Sequence, residues 1–228
     1  MVHLAAVDES VLRPIEHAAA LRVPEHGSLE RTATIWCDEV YAALGRALVL
    51  VRIFAIVPFE SLPAREREFA VRRAGANELT KRSPVVVLMG SRGEVESWSV
   101  RTSSRGHLAT PLGTPALAES APMISGLFDD GERGANGIGQ FYVVDAQTTL
   151  DAQRRHVVPD RGFVDRHDVR TVFGLSGRYE SGARFAFIHF ARQHLSRSVA
   201  DAFVPLVSAF QASTEALVGD GRLFDPSP

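Results

Sequence analysis

The chain has 228 residues, 45% hydrophobic, 23% charged and 8% aromatic, with a mean hydropathy of zero, a net charge of −2 and a pI near 6.4. These values exclude a disordered, collagenous, coiled-coil or polytopic membrane chain, and the length corresponds to one generous domain or a domain with arms. The near-neutral balance argues against nucleic acid as the main partner, because phosphate binding draws on clustered basic charge.

Residues 1–27 mix the helical patch SVLRPIEHAAALRV with breakers at Pro14, Pro24 and Gly27, and read as an N-terminal arm. Ser28 is placed as the N-cap of a helix whose Ile35, Trp36, Val40, Tyr41 and Leu44 recur at helical spacing, with Gly45 as its stop. Residues 47–59 (ALVLVRIFAIVPF) are rich in β-branched and aromatic side chains and read as a central strand. Arg52 interrupts that run, which is also too short to cross a membrane. A charged helix follows over 62–79, ending near Gly75, then a strand over 84–93 and a third strand or extended loop over 97–102. Residues 113–130 carry a helical pattern strained by Pro122; small residues 131–139 lead into a strand over 140–146.

In the last third, 159–168 reads as a short helix or turn. Strands 169–180 and 183–192 flank Ser181-Gly182, a hairpin signal. Ser196 is placed as the cap of a long final helix to residue 218, whose Val199, Phe203, Leu206, Val207, Phe210 and Leu217 share a stripe. Residues 219–228 are left as a tail. This order predicts an α+β layer architecture with a mainly antiparallel sheet, N- and C-terminal helices covering one face and irregular segments the other. A single domain over 28–218 is expected. With no leader or spanning segment in sight, so is a cytoplasmic location.

Few residues point to chemistry. GANGIG (134–139) precedes a strand rather than opening a helix, so it reads as a connection and not a nucleotide loop. GLSGR (174–178) lies within a hairpin strand and lacks the G-x-S-x-G elbow. Cys37 is the only cysteine, which excludes internal disulfides and thiolate metal sites, and its place beside Trp36 suggests a buried thiol. His189 replaces an apolar residue in the alternation Phe185, Phe187, His189, as a half-buried histidine or a pocket residue. Arg105 and His107 flank Gly106 in SSRGHLATPL (103–112), a combination that suits an anionic or polar ligand or a plain surface turn.

From Val85 to Leu217 the chain resembles the GAF-like sensory domains found beside bacterial histidine kinase and cyclase modules. The resemblance is carried by GSRGEVESW (90–98), SSRGHLATPL (103–112), APMISGLF (121–128), FYVVDA (141–146), GFVDRHDVRTVFGLSG (162–177) and ARFAFIHFAR (183–192). It implies a GAF/PAS-like antiparallel sheet of five or six strands with helices on one face and a lidded small-molecule pocket on the other. It also implies a non-enzymatic sensor or regulatory domain that signals through a partner protein. On that basis Phe173, Phe187 and His189 are expected to wall the pocket, beneath a lid over residues 98–127. Trp98, Arg105, His107, Met123 and Tyr142 are expected to line it. The helices at 28–44 and 196–218 should pack together and offer a homodimer face. A haem or chromophore sensor through His107, His156 or His189 is the alternative, and a scaffold or interaction protein a third. No stretch reads as an output module, so the partner is expected to be a separate protein.

Overall fold

A computed structural model describes residues 4, 7–23, 27–104, 106–128 and 138–226. Arg105, most of GANGIG and the start of the arm therefore lie outside the described residues.

Two helices, α1 (Glu9–Arg22) and α2 (Leu29–Leu44), lead into strand β1 (Leu48–Pro58). Local chemistry sets the limits of α2: the Ser28 side chain accepts from the Arg31 N–H, and Gly45 takes a positive φ of 56° at the exit. Helix α3 (Ala64–Ala74) ends at Gly75, and β2 (Pro84–Gly93) returns antiparallel to β1. Residues 96–103 form two short 3₁₀ turns rather than a strand, followed by the short β3 (Ala109–Pro111). The helical pattern over 113–130 splits into α4 (Pro115–Ser120) and α5 (Pro122–Leu127), because Pro122 cannot supply the N–H that a continuous helix needs. Then come β4 (Gly139–Val143), α6 (Arg161–Arg166) and the hairpin β5 (Thr171–Arg178)–β6 (Arg184–Ala191). The final helix is also two pieces, α7 (Arg197–Ala202) and α8 (Val204–Gly219), with the break at Phe203 just before Pro205. Ser196 makes no side-chain cap to α7, contrary to its expected role.

All six strands form one antiparallel sheet in the order β3-β2-β1-β6-β5-β4. This confirms the expected α+β class. The sheet has a core on each face. On one, α1, α2 and α8 cover Leu48, Val51, Ile53, Val87, Phe173, Leu175, Phe185 and Phe187. Helix α2 sits so close to β2 that a Cβ on Gly90 would lie 2.4 Å from the Ala33 carbonyl oxygen, which only glycine avoids. On the other face, α4, α5 and α6 pack against Leu50, Phe54, Val86, Leu88, Val172 and Ile188.

Both stretches set apart as arm and tail enter the helix-side core. Leu12, Ile15 and Ala19 of α1 are buried there, and Leu223 and Phe224 pack against it. The tail is pinned by the Leu29 and Glu30 N–H groups donating to the Arg222 and Leu223 carbonyls. Arg197–Gly219 is long and apolar enough to cross a membrane, with a mean hydropathy of 1.2. In this fold α8 instead turns Leu206, Val207, Phe210, Thr214 and Leu217 into the core.

Candidate functional site

The face of the sheet opposite α1, α2 and α8 is only partly covered, and it holds a cavity of about 690 Å³. The floor is Leu50, Arg52 and Phe54 of β1 with Ile188 and Phe190 of β6. The sides come from Ser97, Trp98, Val100 and His107, from α4 and α5 (Ser120, Met123, Ile124) and from Val158, Phe163, Arg166 and His167 around α6. That volume falls within the roughly 300–1,000 Å³ of small-molecule sites.

The floor has one charge. Arg52 is the one charged residue of β1, flanked across the sheet by Ser91 and Ile188. Its Nε donates weakly to Ser91 Oγ at 3.4 Å and its Nη1 to His107 Nδ1 at 3.3 Å. Because a guanidinium only donates, Nδ1 must accept, which puts the His107 proton on Nε2, where it meets the Ser120 carbonyl at 3.4 Å. Burial, and then the Arg52 charge, lower the His107 pKa to about 4, so the ring is neutral near pH 7. Burial also lowers the Arg52 pKa to about 10, a value at which it is still charged. Among the described residues no carboxylate pairs with Arg52.

The opposite wall is aromatic. Trp98 meets Phe163 edge-on at 5.5 Å and His167 at 4.8 Å, and Phe163 meets Phe190 at 5.3 Å. His167 is held from behind: its Nδ1–H donates to Glu94, which also accepts from Arg192 Nη2. Burial works against the Glu94 carboxylate, but the hydrogen bonds from Arg192 and His167 outweigh it and lower its pKa. Asp160 lines the cavity too, and its Oδ1 is committed to the Phe163 N–H as the cap of α6.

Of the expected lining residues, the structure brings Trp98, His107 and Met123 together in this cavity. Phe173, Phe187 and His189 wall the opposite core. Phe173 stacks on His189 at 4.5 Å, and Phe187, His189 and Phe203 pack beneath α7 and α8. The alternation had separated the two strand faces correctly, but the bulky aromatic set went to the face that two long helices seal. Tyr142 also points that way, with its hydroxyl donating to the Leu195 carbonyl. Of the histidines considered for haem, His189 is sealed in that core and His156 lies outside the cavity, leaving only His107 in it.

Arg52, Phe163, His167, Ile188 and Phe190 were missed. Arg52 carried a usable signal, a lone arginine inside an otherwise apolar central strand. His167 and Phe163 carried none, because α6 is brought to the cavity only by folding. Ser176, set aside as a nucleophile, donates to the Leu127 carbonyl at 2.9 Å inside the packed sheet. Cys37 is fully buried on the helix side, and burial raises its pKa well above that of a free thiol. No cluster of three or more metal-ligating side chains exists among the described residues.

No family model and no curated protein matches this chain. Solved structures do. The chain is similar to the GAF domain of a phosphoenolpyruvate-protein phosphotransferase from Coxiella burnetii, at 14% identity and a TM-score of 0.54, over 94% of this chain and 96% of that one. It is also similar to a phycocyanobilin-bound GAF domain from a cyanobacterial phytochrome (14% identity, TM-score 0.50, 96% and 98% covered). A free methionine-R-sulfoxide reductase from Neisseria meningitidis, solved with its substrate, matches equally well (14% identity, TM-score 0.50, 96% and 98% covered). At these identities the likeness establishes a GAF-like fold.

Proposed function

We propose that this GAF-like chain is a non-enzymatic, cytoplasmic sensor domain that binds a small molecule on the open face of its sheet and acts on a partner protein. The cavity carries the reading: about 690 Å³, with one uncompensated cation on its floor and Trp98, Phe163 and Phe190 along its wall. The non-enzymatic part is supported by chemistry. The one cysteine lies on the other side of the sheet, and the cavity's neutral His107 has both ring nitrogens engaged. The expected homodimer would pair copies through α2 and the α7–α8 helix, and sedimentation velocity checks it.

Thermal-shift screening of the purified protein against amino acids, nucleotides, organic acids and tetrapyrroles tests the reading. A ligand should raise the melting temperature of the natural protein and not of Met123→Trp, in which the indole fills the cavity. Trp98→Ala and His107→Ala should weaken the shift without unfolding the domain. A panel without any shift, or equal shifts in Met123→Trp, overturns the proposal.

A haem-binding reading has one supporting observation, at a histidine other than those first considered. The Nδ1–H of His167 is taken up by Glu94, the arrangement that typically orients a metal-ligating imidazole. His167 would hold the iron, which would supply gas or redox sensitivity. Absence of a Soret band after haem addition eliminates this reading.

A further inference from the structure

Resting on the sensor reading, we infer that the ligand is a monocarboxylate with an apolar body, its carboxylate held by Arg52 and its body packed against Trp98, Phe163 and Phe190. The argument starts from Arg52. A guanidinium in the middle of an apolar sheet face is costly unless paired, and its neighbours Leu50, Phe54, Ile188 and Phe190 supply no charge. Of its five N–H donors, two are used, both in long contacts to neutral acceptors. Among the described residues Nη2 has no partner.

The surroundings leave that charge for something else to complete. His107 is fixed as an acceptor toward Arg52 and stays neutral, so it orients the guanidinium without cancelling its charge. Behind Ser120, Arg73 donates to the Ser120 Oγ at 2.9 Å and adds positive potential. Asp160 is the one carboxylate among the described lining residues, and it is bound to the α6 N-terminus. A planar guanidinium fork matches a carboxylate better than an ammonium would. The planar Arg52 fork takes one carboxylate, while Arg166, a second cation among the described lining residues, lies on the α6 side of the cavity.

The opposing wall decides the rest of the ligand. Trp98, Phe163 and Phe190 present ring faces and edges about 5 Å apart, with Met123 and Ile124 alongside. These bury an aryl or alkyl body. A rival occupant is an organic cation, which aromatic walls also attract, but Arg52 on the floor repels it.

Isothermal titration of the full chain with matched probes tests this. The probes are 3-phenylpropionate, 3-indolepropionate and octanoate, each beside its neutral amide, with tryptamine as the cation. At least one acid should bind about tenfold or more tighter than its amide, as a charge-assisted bond implies, and tryptamine should bind weakest. Arg52→Gln should erase the difference between acid and amide while retaining amide binding, and Arg52→Lys should recover part of it. The acid–amide comparison in the natural protein stands even if Arg52→Gln fails to fold. Equal binding of acid and amide overturns the carboxylate inference but leaves the sensor reading intact, and tighter binding of tryptamine does the same. Binding by no probe of any charge, together with a flat thermal-shift panel, overturns both.

Discussion

Replacing His189 by phenylalanine should flatten the acid side of the stability curve. His189 is fully buried in β6, stacked on Phe173 and flanked by Phe187 and Phe203, and neither ring nitrogen meets the geometry of a hydrogen bond. Burial lowers its pKa from 6.5 to about 3. The sign follows from which state takes the proton. Below pH 6.5 the unfolded chain protonates this histidine and the folded chain does not, so stability falls as pH drops and levels off only below about pH 3. At pH 5, one and a half units below 6.5, the loss from this residue is about 2 kcal/mol at about 1.4 kcal/mol per unit. At pH 7 it is close to zero. Phenylalanine keeps the stacked ring and removes the titration. Urea unfolding of the natural protein and His189→Phe at pH 7 and pH 5 should therefore show a difference that grows by about 2 kcal/mol toward the lower pH. His107, also titrating low, contributes equally to both proteins and cancels. Any packing strain from the larger ring shifts the whole curve without changing its slope. Parallel curves between pH 7 and pH 5 would refute the account of His189 as a neutral, buried group.

The other expectations concern packing and a buried ion cluster. Phe187→Ala opens a cavity between β6 and α8, where Phe187 meets Phe210 at 5.1 Å, and should cost roughly 3–5 kcal/mol in urea unfolding. A loss below about 1 kcal/mol would contradict its place in the core. Gly90→Ala pushes a methyl into the Ala33 carbonyl and should cost about 1–3 kcal/mol, with near-ultraviolet circular dichroism reporting displacement of the Trp36 helix. Arg101 pairs at 2.7 Å with both Glu66 and Glu30. Arg101→Met should cost about 3–5 kcal/mol by stranding the buried Glu66, and adding Glu66→Leu should restore most of it. An additive double variant would count against the pairing.

Much of the framework was legible in short stretches of chain. Ser28 and Gly45 bracket α2 as their capping chemistry requires, and Gly75 closes α3. The apolar runs of β1 and β2 and the Ser181-Gly182 turn, where Gly182 takes a positive φ of 86°, gave the strands. The two helix breaks were harder, since Pro122 and Pro205 lie inside otherwise good helical patterns. Only the neighbouring packing decides whether a proline ends a helix or sits in its first turn.

The site was legible only in part. Trp98, His107 and Met123 could be named because they fall in the lid expected over 98–127 from the resemblance, and they do meet over the sheet. Phe173, Phe187 and His189 were assigned to the wrong face. A period of two separates the side chains of a strand into two sets, but it does not say which set a helix will cover. In this sheet both sets are apolar, because each face carries a core.

By itself, the sequence determined the fold class, the order of the long strands and main helices and the pairs of residues that share a strand face, because caps, turns and periodicity act over a few residues. The short β3 and the two helix breaks came only with the fold. Tertiary structure alone decided which face became the cavity. It also turned Arg52 from a break in an apolar run into the one charge on that floor. The reason is physical. A half-buried guanidinium takes its meaning from groups tens to more than a hundred residues away, His107, Ser120, Phe163 and Phe190, which only long-range packing brings around it.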